Sequence, residues 1–128
     1  MFETAQTRNI LVQAFPQYRP DESDPQAGRF IFSYRIRIEN QSQQGVQLLS
    51  RHWIITDGVG RVEEVRGEGV IGQQPSLAPG EAFEYESFCP LPTPTGVMRG
   101  TYTMISETGE KFEVNIPQFF LVEPNSFH

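Results

Sequence analysis

The sequence predicts an all-β chain folded as a two-sheet sandwich, and three observations support this. Apolar and polar residues alternate along several short segments, which is the period of a half-buried strand. Turn formers are frequent, with 11 Gly and 10 Pro among 128 residues. No segment shows a helical period, and seven or eight evenly spaced short strands are typical of a sandwich or barrel. This length fits a single domain, residues 1–128, whose core needs no disulfide or metal.

The first strand is predicted over residues 10–15, which are rich in β-formers. Residues 1–6 before it are expected to be a flexible N-terminus. Residues 16–28 after it contain three prolines, three acidic residues and a glycine, which predicts a long loop. A loop of this length in a compact domain is either functional or mobile.

Residues 29–40 give the clearest strand pattern. Five apolar residues, each two positions after the last, alternate with mostly polar ones: Phe30, Phe32, Tyr34, Ile36 and Ile38. One face of this strand is therefore predicted to lie in the core and the other in water. Residues 41–45 form a polar turn, and residues 46–57 form the next strand, with apolar residues on both faces.

The second half of the chain predicts two hairpins. Residues 58–60 close the first hairpin, and residues 61–66 return from it. A glycine-rich loop over residues 67–80 leads to a strand at residues 82–88, and a turn with three prolines follows. Residues 97–105 form a strand, Thr108 and Gly109 form a hairpin turn, and a last strand passes through Phe112, with residues 117–122 as its extension.

Two short motifs favour an immunoglobulin-like or fibronectin type III-like sandwich. Residues 77–83, Leu-Ala-Pro-Gly-Glu-Ala-Phe, resemble the segment that enters a middle strand of fibronectin type III domains. Residues 100–104 resemble a tyrosine corner, which predicts that the hydroxyl of Tyr102 bonds to backbone. The two motifs occur in the order that this topology requires.

Charge and composition exclude several functions. Sixteen acidic against 10 basic residues give a net charge of -6, which repels nucleic acids and anionic lipid surfaces. We therefore expect neither nucleic-acid nor membrane binding. The first residues lack the basic and apolar regions of a secretory signal, and apolar runs are too short for a bilayer, so a cytoplasmic protein is expected.

A glycine motif leaves two interpretations open. Gly67, Gly69 and Gly72 match G-x-G-x-x-G, whose backbone N–H groups hold a pyrophosphate when a helix follows. Here residues 73–76 follow, and Pro75 argues against a helix. The glycines either form an anion nest without a helix or make a loop that crosses between the two sheets.

The sequence contains no arrangement of catalytic or metal-binding residues, so we expect no enzyme and no cofactor. His52 and His128 are the only histidines, and Cys89 is the only cysteine. The distances between these three residues along the chain do not match the spacing of zinc ligands. Adjacent Glu63 and Glu64 point to opposite faces of a strand, so they cannot act as a pair. Residues 21–24, Asp-Glu-Ser-Asp, are the best place for weak Mg²⁺ or Co²⁺ binding, although they lack the spacing of a calcium loop.

The segment Arg51-His52-Trp53 is a candidate surface for a protein partner. Trp and Arg are common anchors of protein interfaces. The alternative is that Trp53 is the core tryptophan of the sandwich, as sandwiches of this type commonly bury one.

A family resemblance covers nearly the whole chain. It is carried by ordered segments, namely residues 24–34, 48–57, 60–67, 69–75, 77–85, 89–94, 96–102 and 116–119. These segments together resemble the bacterial ApaG family. The resemblance implies a fibronectin type III-like sandwich, no known enzymatic activity, and a link to cobalt resistance and magnesium efflux.

The resemblance also implies two functions, which remain alternatives. The family's domain is appended to F-box proteins and to a polymerase-interacting protein in eukaryotes, which favours a non-enzymatic module that binds a protein partner. The family's gene commonly neighbours that of diadenosine tetraphosphate hydrolase. That association favours nucleotide or pyrophosphate binding at residues 67–72, with a dinucleotide polyphosphate and Mg²⁺ as ligands.

Overall fold

The structure is a computed structural model that describes residues 2–127. Within this range the chain forms nine strands: β1 (Glu3–Thr7), β2 (Ile10–Tyr18), β3 (Phe30–Asn40), β4 (Val46–Asp57), β5 (Val62–Glu68), β6 (Ser76–Leu77), β7 (Ala82–Leu91), β8 (Thr95–Ser106) and β9 (Lys111–Val122). Three short 3₁₀ turns complete the described secondary structure: Pro20–Glu22, Pro25–Ala27 and Pro124–Phe127. None of the helical segments in residues 2–127 is long and apolar enough to span a bilayer.

The strands form two antiparallel sheets. One sheet has the order β1-β2-β3-β7, and the other has the order β5-β4-β8-β9, with β6 paired to β4. The inner faces of the two sheets supply one continuous core. The predicted all-β, two-sheet sandwich is therefore confirmed.

Aromatic side chains occupy the centre of the core. Trp53 from β4 lies edge-on to Tyr34 from β3, with ring centroids 5.2 Å apart, and to Phe119 from β9, at 6.0 Å. This geometry suits the ring quadrupoles, and burying each such side chain contributes on the order of 1.5–3 kcal/mol. The five alternating residues predicted for the core face of β3 are all buried, and β3 is paired on both sides, with β2 and β7.

The N-terminal residues differ from the expected flexible segment. Glu3–Thr7 forms strand β1, paired with β2 from Glu3 opposite Ala14 to Thr7 opposite Ile10. The two residues between these strands, Arg8 and Asn9, have φ angles of 49° and 64°. Positive φ at both central residues is the geometry of a two-residue hairpin turn, and it matches the twist of the flanking strands.

The segment expected to be a long loop, residues 16–28, is partly ordered secondary structure. Strand β2 continues to Tyr18, so Pro16 lies within a strand. Proline is tolerated there because β1 reaches only as far as Ala14, and Pro16 has a paired neighbour on the β3 side alone. Two 3₁₀ turns occupy much of the remainder.

The predicted hydrogen bond of the tyrosine corner, from the Tyr102 hydroxyl to backbone, is wrong. The Tyr102 hydroxyl is fully buried and bonds to the hydroxyl of Tyr85 on β7, not to backbone. This happens because Tyr102 projects from β8 across the core toward the opposite sheet. Burial raises the pKa of both phenols well above the ordinary value, so both are neutral.

Candidate functional site

The three residues predicted as a partner surface lie on two faces of β4. Trp53 pairs with Gly100 and points into the core, where it is 3% exposed. The structure therefore corrects the partner-surface prediction at this residue, because a buried indole cannot anchor a partner. Arg51 shares the inner face with Trp53, and His52 lies on the outer face of the sheet.

Arg51 on β4 contacts the end of the neighbouring strand β5. Its side chain runs across Gly67 and donates to the carbonyl oxygens of Glu68, at 3.1 Å, and Gly69, at 2.9 Å. A Cβ atom at Gly67 would lie 2.8–2.9 Å from the guanidinium atoms of Arg51. A side chain at Gly67 would therefore force the end of the Arg51 side chain to move, and Arg51 is joined to the glycine motif by hydrogen bonds to its carbonyl groups.

The other two glycines shape a tight turn. Gly69 has a φ angle of 65°, and a Cβ atom there would overlap the carbonyl oxygen of Gln73. Val70 and Gln73 exchange two backbone hydrogen bonds, at 2.8 and 2.9 Å, around Ile71 and Gly72. Both of these central residues have positive φ, at 43° and 77°, as in a two-residue hairpin turn.

The backbone donors of this loop are largely engaged within the protein. The N–H groups of Gly69, Val70 and Gln73 donate to the carbonyls of Leu49, Gln73 and Val70, respectively. The next element within the described residues is strand β6, and no helix begins here. The geometry at residues 67–72 therefore fits a turn beside a cation, and it lacks the helix N-terminus of a dinucleotide site.

His52 belongs to a small charged group on the outer face. Its Nε2 atom lies 2.7 Å from a carboxylate oxygen of Glu64, and Arg66 lies 3.5 Å from the same oxygen. The hydrogen bond with His52 lowers the pKa of the Glu64 carboxyl below its usual value. A shallow depression of about 470 Å³ borders this group, and hydroxyl side chains from β4 and β8 line part of it: Ser50, Thr101 and Thr103.

The remaining candidates are separated from one another. Asp21 lies in the first 3₁₀ turn and Asp24 directly precedes the second, and no group of three metal-ligating side chains occurs within residues 2–127. Cys89 is buried in β7, and burial raises the pKa of its thiol to about 12, which removes its nucleophilic character at neutral pH. His128 lies outside the described residues.

A surface that sequence reasoning missed crosses the outer face of the second sheet. Thr56 pairs with Val62 on one side and with Val97 on the other, and Val97 pairs with Phe120. The adjacent residues Met98 and Phe119 are buried, so these four residues point outward. We call Val62, Thr56, Val97 and Phe120 the apolar row. Its signal in the sequence is weak because each strand contributes one residue.

Comparison with known proteins identifies the family. The ApaG domain family matches residues 20–106. The chain is 54% identical to protein ApaG of Bordetella pertussis, over 94% of this chain and 92% of that protein, and 56% identical to protein ApaG of Mesorhizobium japonicum, over 95% and 94%. The chain belongs to the ApaG family. This confirms the resemblance found in the sequence.

Two solved structures of similar chains support the fold. A crystal structure of a Bordetella pertussis protein matches with a TM-score of 0.90 at 53% identity, covering 94% of this chain and 98% of that one. A second X-ray structure matches with a TM-score of 0.88 at 42% identity, covering 94% and 91%. The ApaG name describes no reaction, so the function of this ApaG chain has to be argued from its surfaces.

Proposed function

We propose that this ApaG-family chain is a non-enzymatic module that binds a protein partner in the cytoplasm through the apolar row. The link to cobalt resistance and magnesium efflux comes from the family resemblance, and the proposal makes it indirect, through the partner. The observation that carries the proposal is the exposure of the row at its two ends. Phe120 is 57% exposed and Val62 is 59% exposed.

Phe120 borders two depressions that have largely apolar walls. One of about 420 Å³ also has Val97 and Leu121 in its wall, and another of about 250 Å³ has Phe2 and Tyr18. Phe2 is itself 50% exposed. Contiguous exposed apolar surface of this kind marks interaction sites, and large aromatic side chains are frequent anchors.

Polar groups border the apolar row as they border many interfaces. Next to it on the same face lie Glu64 and Arg99, on either side of Ile54, followed by His52 and Arg66. An apolar centre with a polar rim is the usual arrangement of a protein–protein contact. The imidazole of His52 has one side-chain hydrogen-bond partner among the described residues, Glu64, and no hydrogen bond joins it to the nearby hydroxyl groups as a nucleophile–base pair would require.

The test is capture of a partner by the immobilised protein, compared among surface variants. Phe120→Ser and Val62→Ser remove the ends of the row, while Ile71→Ser is the matched control, since Ile71 is 52% exposed in the turn that follows β5. We expect one protein to be captured by the wild type and by Ile71→Ser. With that protein purified, Phe120→Ser should weaken binding at least about tenfold, as expected for an aromatic anchor.

Equal capture by all variants, or no capture by the wild type, would contradict the proposal. Melting temperatures of the variants provide the folding control, because solvent-exposed substitutions should leave them within a few degrees of the wild type.

A second candidate function is nucleotide or pyrophosphate binding at residues 67–72. The observation in its favour is the charge beside the loop, where Arg51 contacts the loop carbonyls and Arg66 precedes Gly67. Titration with diadenosine tetraphosphate and Mg²⁺ tests it through the amide resonances of this loop. Shifts there that disappear in Arg51→Ala would support this function, and an unchanged spectrum would remove it.

A further inference from the structure

The outer strands of the two sheets differ in how their free edges are protected. Strand β1 is only five residues long and lies against β9, with the Asn115 N–H donating to the Thr7 hydroxyl at 3.1 Å. Strand β5 carries Glu63 on its inner face, and an inward charge prevents another strand from adding there. Strand β9 has an irregularity in its pairing with β8. These are devices that block edge-to-edge association.

Strand β7 lacks most of these devices. It is ten residues long and pairs with β3 in a continuous register, from Phe30 opposite Leu91 to Glu39 opposite Ala82. Its inner-face residues are uncharged: Phe83, Tyr85, Ser87, Cys89 and Leu91. Within residues 2–127 no strand pairs with its second edge. Pro90 cannot donate to a ladder, so the edge available for pairing is residues 82–89.

The outward side chains of this edge are acidic and aromatic. Glu84 and Glu86 point outward with 47% of each side chain exposed, and Phe88 follows at 51%. Arg35 contacts one oxygen of Glu84 at 3.1 Å, and Arg19 contacts one oxygen of Glu86 at 3.0 Å. The second oxygen of each carboxylate has no partner among the described residues, and it remains available to a cation.

Charge argues against a second copy of this chain as the occupant. Antiparallel pairing of β7 with itself about Tyr85 would place Glu84 opposite Glu86 of the other copy, twice. Like charges directly opposite each other destabilise a strand pair. The net charge of -6 adds a general repulsion between copies. The same two carboxylates attract a strand that carries basic residues at alternate positions.

We infer that the free edge of β7 binds an extended segment of a partner protein, with Lys or Arg at alternate positions, as an added strand. The partner's main chain bonds to the free backbone groups of residues 82–89, its basic side chains pair with Glu84 and Glu86, and an apolar residue packs on Phe88. The edge belongs to the sheet opposite the apolar row, so this inference does not rest on the proposed function.

The first test uses a capped heptapeptide in which lysine and valine alternate, and a control peptide with glutamate in place of lysine. We expect amide shifts confined to β7 and its neighbour β3, and at least about tenfold tighter binding of the lysine peptide, because two cross-strand pairs change from attraction to repulsion. The preference should weaken at high salt. A Glu84→Lys/Glu86→Lys double variant should prefer the glutamate peptide.

The second test measures self-association. Wild type should sediment as a monomer, and a Glu84→Thr/Glu86→Thr double variant should form dimers, because the repulsion across the self-paired edge is removed. A wild-type dimer joined through β7 would overturn the inference, as would equal affinity for both peptides or shifts outside β7 and β3. The variants of the apolar row should leave both results unchanged, so failure here and failure of the proposed function are distinguishable.

Discussion

The contact between Arg51 and Gly67 allows a quantitative test of what the glycine motif does. The structure assigns Gly67 the role of leaving room for the guanidinium of Arg51, which a Cβ atom would approach to 2.8–2.9 Å. Gly67→Ala should therefore displace the end of this side chain and break its hydrogen bonds to the carbonyls of Glu68 and Gly69. The two substitutions Gly67→Ala and Arg51→Ala should then report the same lost contact.

The expected magnitudes follow from those two hydrogen bonds. Hydrogen bonds with a charged donor contribute about 1.5–3 kcal/mol, and partial exposure places Arg51→Ala near the lower end, at about 2 kcal/mol of lost stability. Gly67→Ala loses the same contact but gains about 0.5–1 kcal/mol by restricting the unfolded chain, so it should cost about 1–1.5 kcal/mol. In the Arg51→Ala background, Gly67→Ala should be neutral or stabilising.

Urea denaturation of the four proteins gives the coupling energy of this double-mutant cycle. We expect a coupling of about 1.5–2 kcal/mol. Effects that add to within about 0.5 kcal/mol would show that Gly67 and Arg51 act independently, which would refute the assignment. In that case any loss of stability in Gly67→Ala would have to arise from a contact other than the one with Arg51.

Three further predictions concern single residues. Gly100→Ala should prevent stable folding, or lower the unfolding free energy measured in urea by more than about 4 kcal/mol. A Cβ atom there would overlap the His52 carbonyl and force β4 and β8 apart. A melting temperature equal to that of the wild type would contradict the close approach of these two strands. Ile71→Gly should be neutral or stabilise the protein by up to about 1 kcal/mol, because relief of about 1–2 kcal/mol at a φ angle of 43° exceeds the roughly 0.5–1 kcal/mol that the freedom of glycine in the unfolded chain costs. The control Val59→Gly has no positive φ to relieve, so it should destabilise the protein by about 0.5–1 kcal/mol. Burial raises the pKa of the Cys89 thiol to about 12, and only the thiolate attacks a disulfide reagent. Cys89 should therefore stay unreactive at pH 8–9 until urea unfolds the protein. Rapid labelling of the native protein would contradict the burial of this thiol.

The sequence predicted the elements in which apolar and polar residues alternate most regularly. Strand β3 is the clearest case, because it lies between two strands and the five alternating apolar residues from Phe30 to Ile38 are all buried. Strand β1 escaped prediction because its five residues, Glu-Thr-Ala-Gln-Thr, are mostly polar, and the turn after it uses Arg8 and Asn9 without a glycine. Its existence depends on pairing with β2, which is a tertiary effect.

The residues of the candidate site could likewise be brought together only by tertiary pairing. The sequence placed Arg51 and the glycine motif in separate hypotheses, but the register of β4 and β5 sets Arg51 opposite Gly67. Trp53 was assigned either to a surface or to the core, and only the pairing with Gly100 fixes its face. The apolar row needed four strands in register before it existed as a surface, so no single segment could have revealed it.

The contact between the first and last strands has a consequence for folding kinetics. Arg8 beside β1 pairs with Glu110 at 2.9 Å, across 102 positions of sequence, and Asn115 on β9 bonds to Thr7 across 108. Closing so long a loop is slow, and contacts of this separation are expected to form after the rate-limiting step. Arg8→Ala should then speed unfolding while leaving the folding rate nearly unchanged. The contact between β1 and β9 should therefore form late in folding, and its main effect should be to slow the unfolding of the native state.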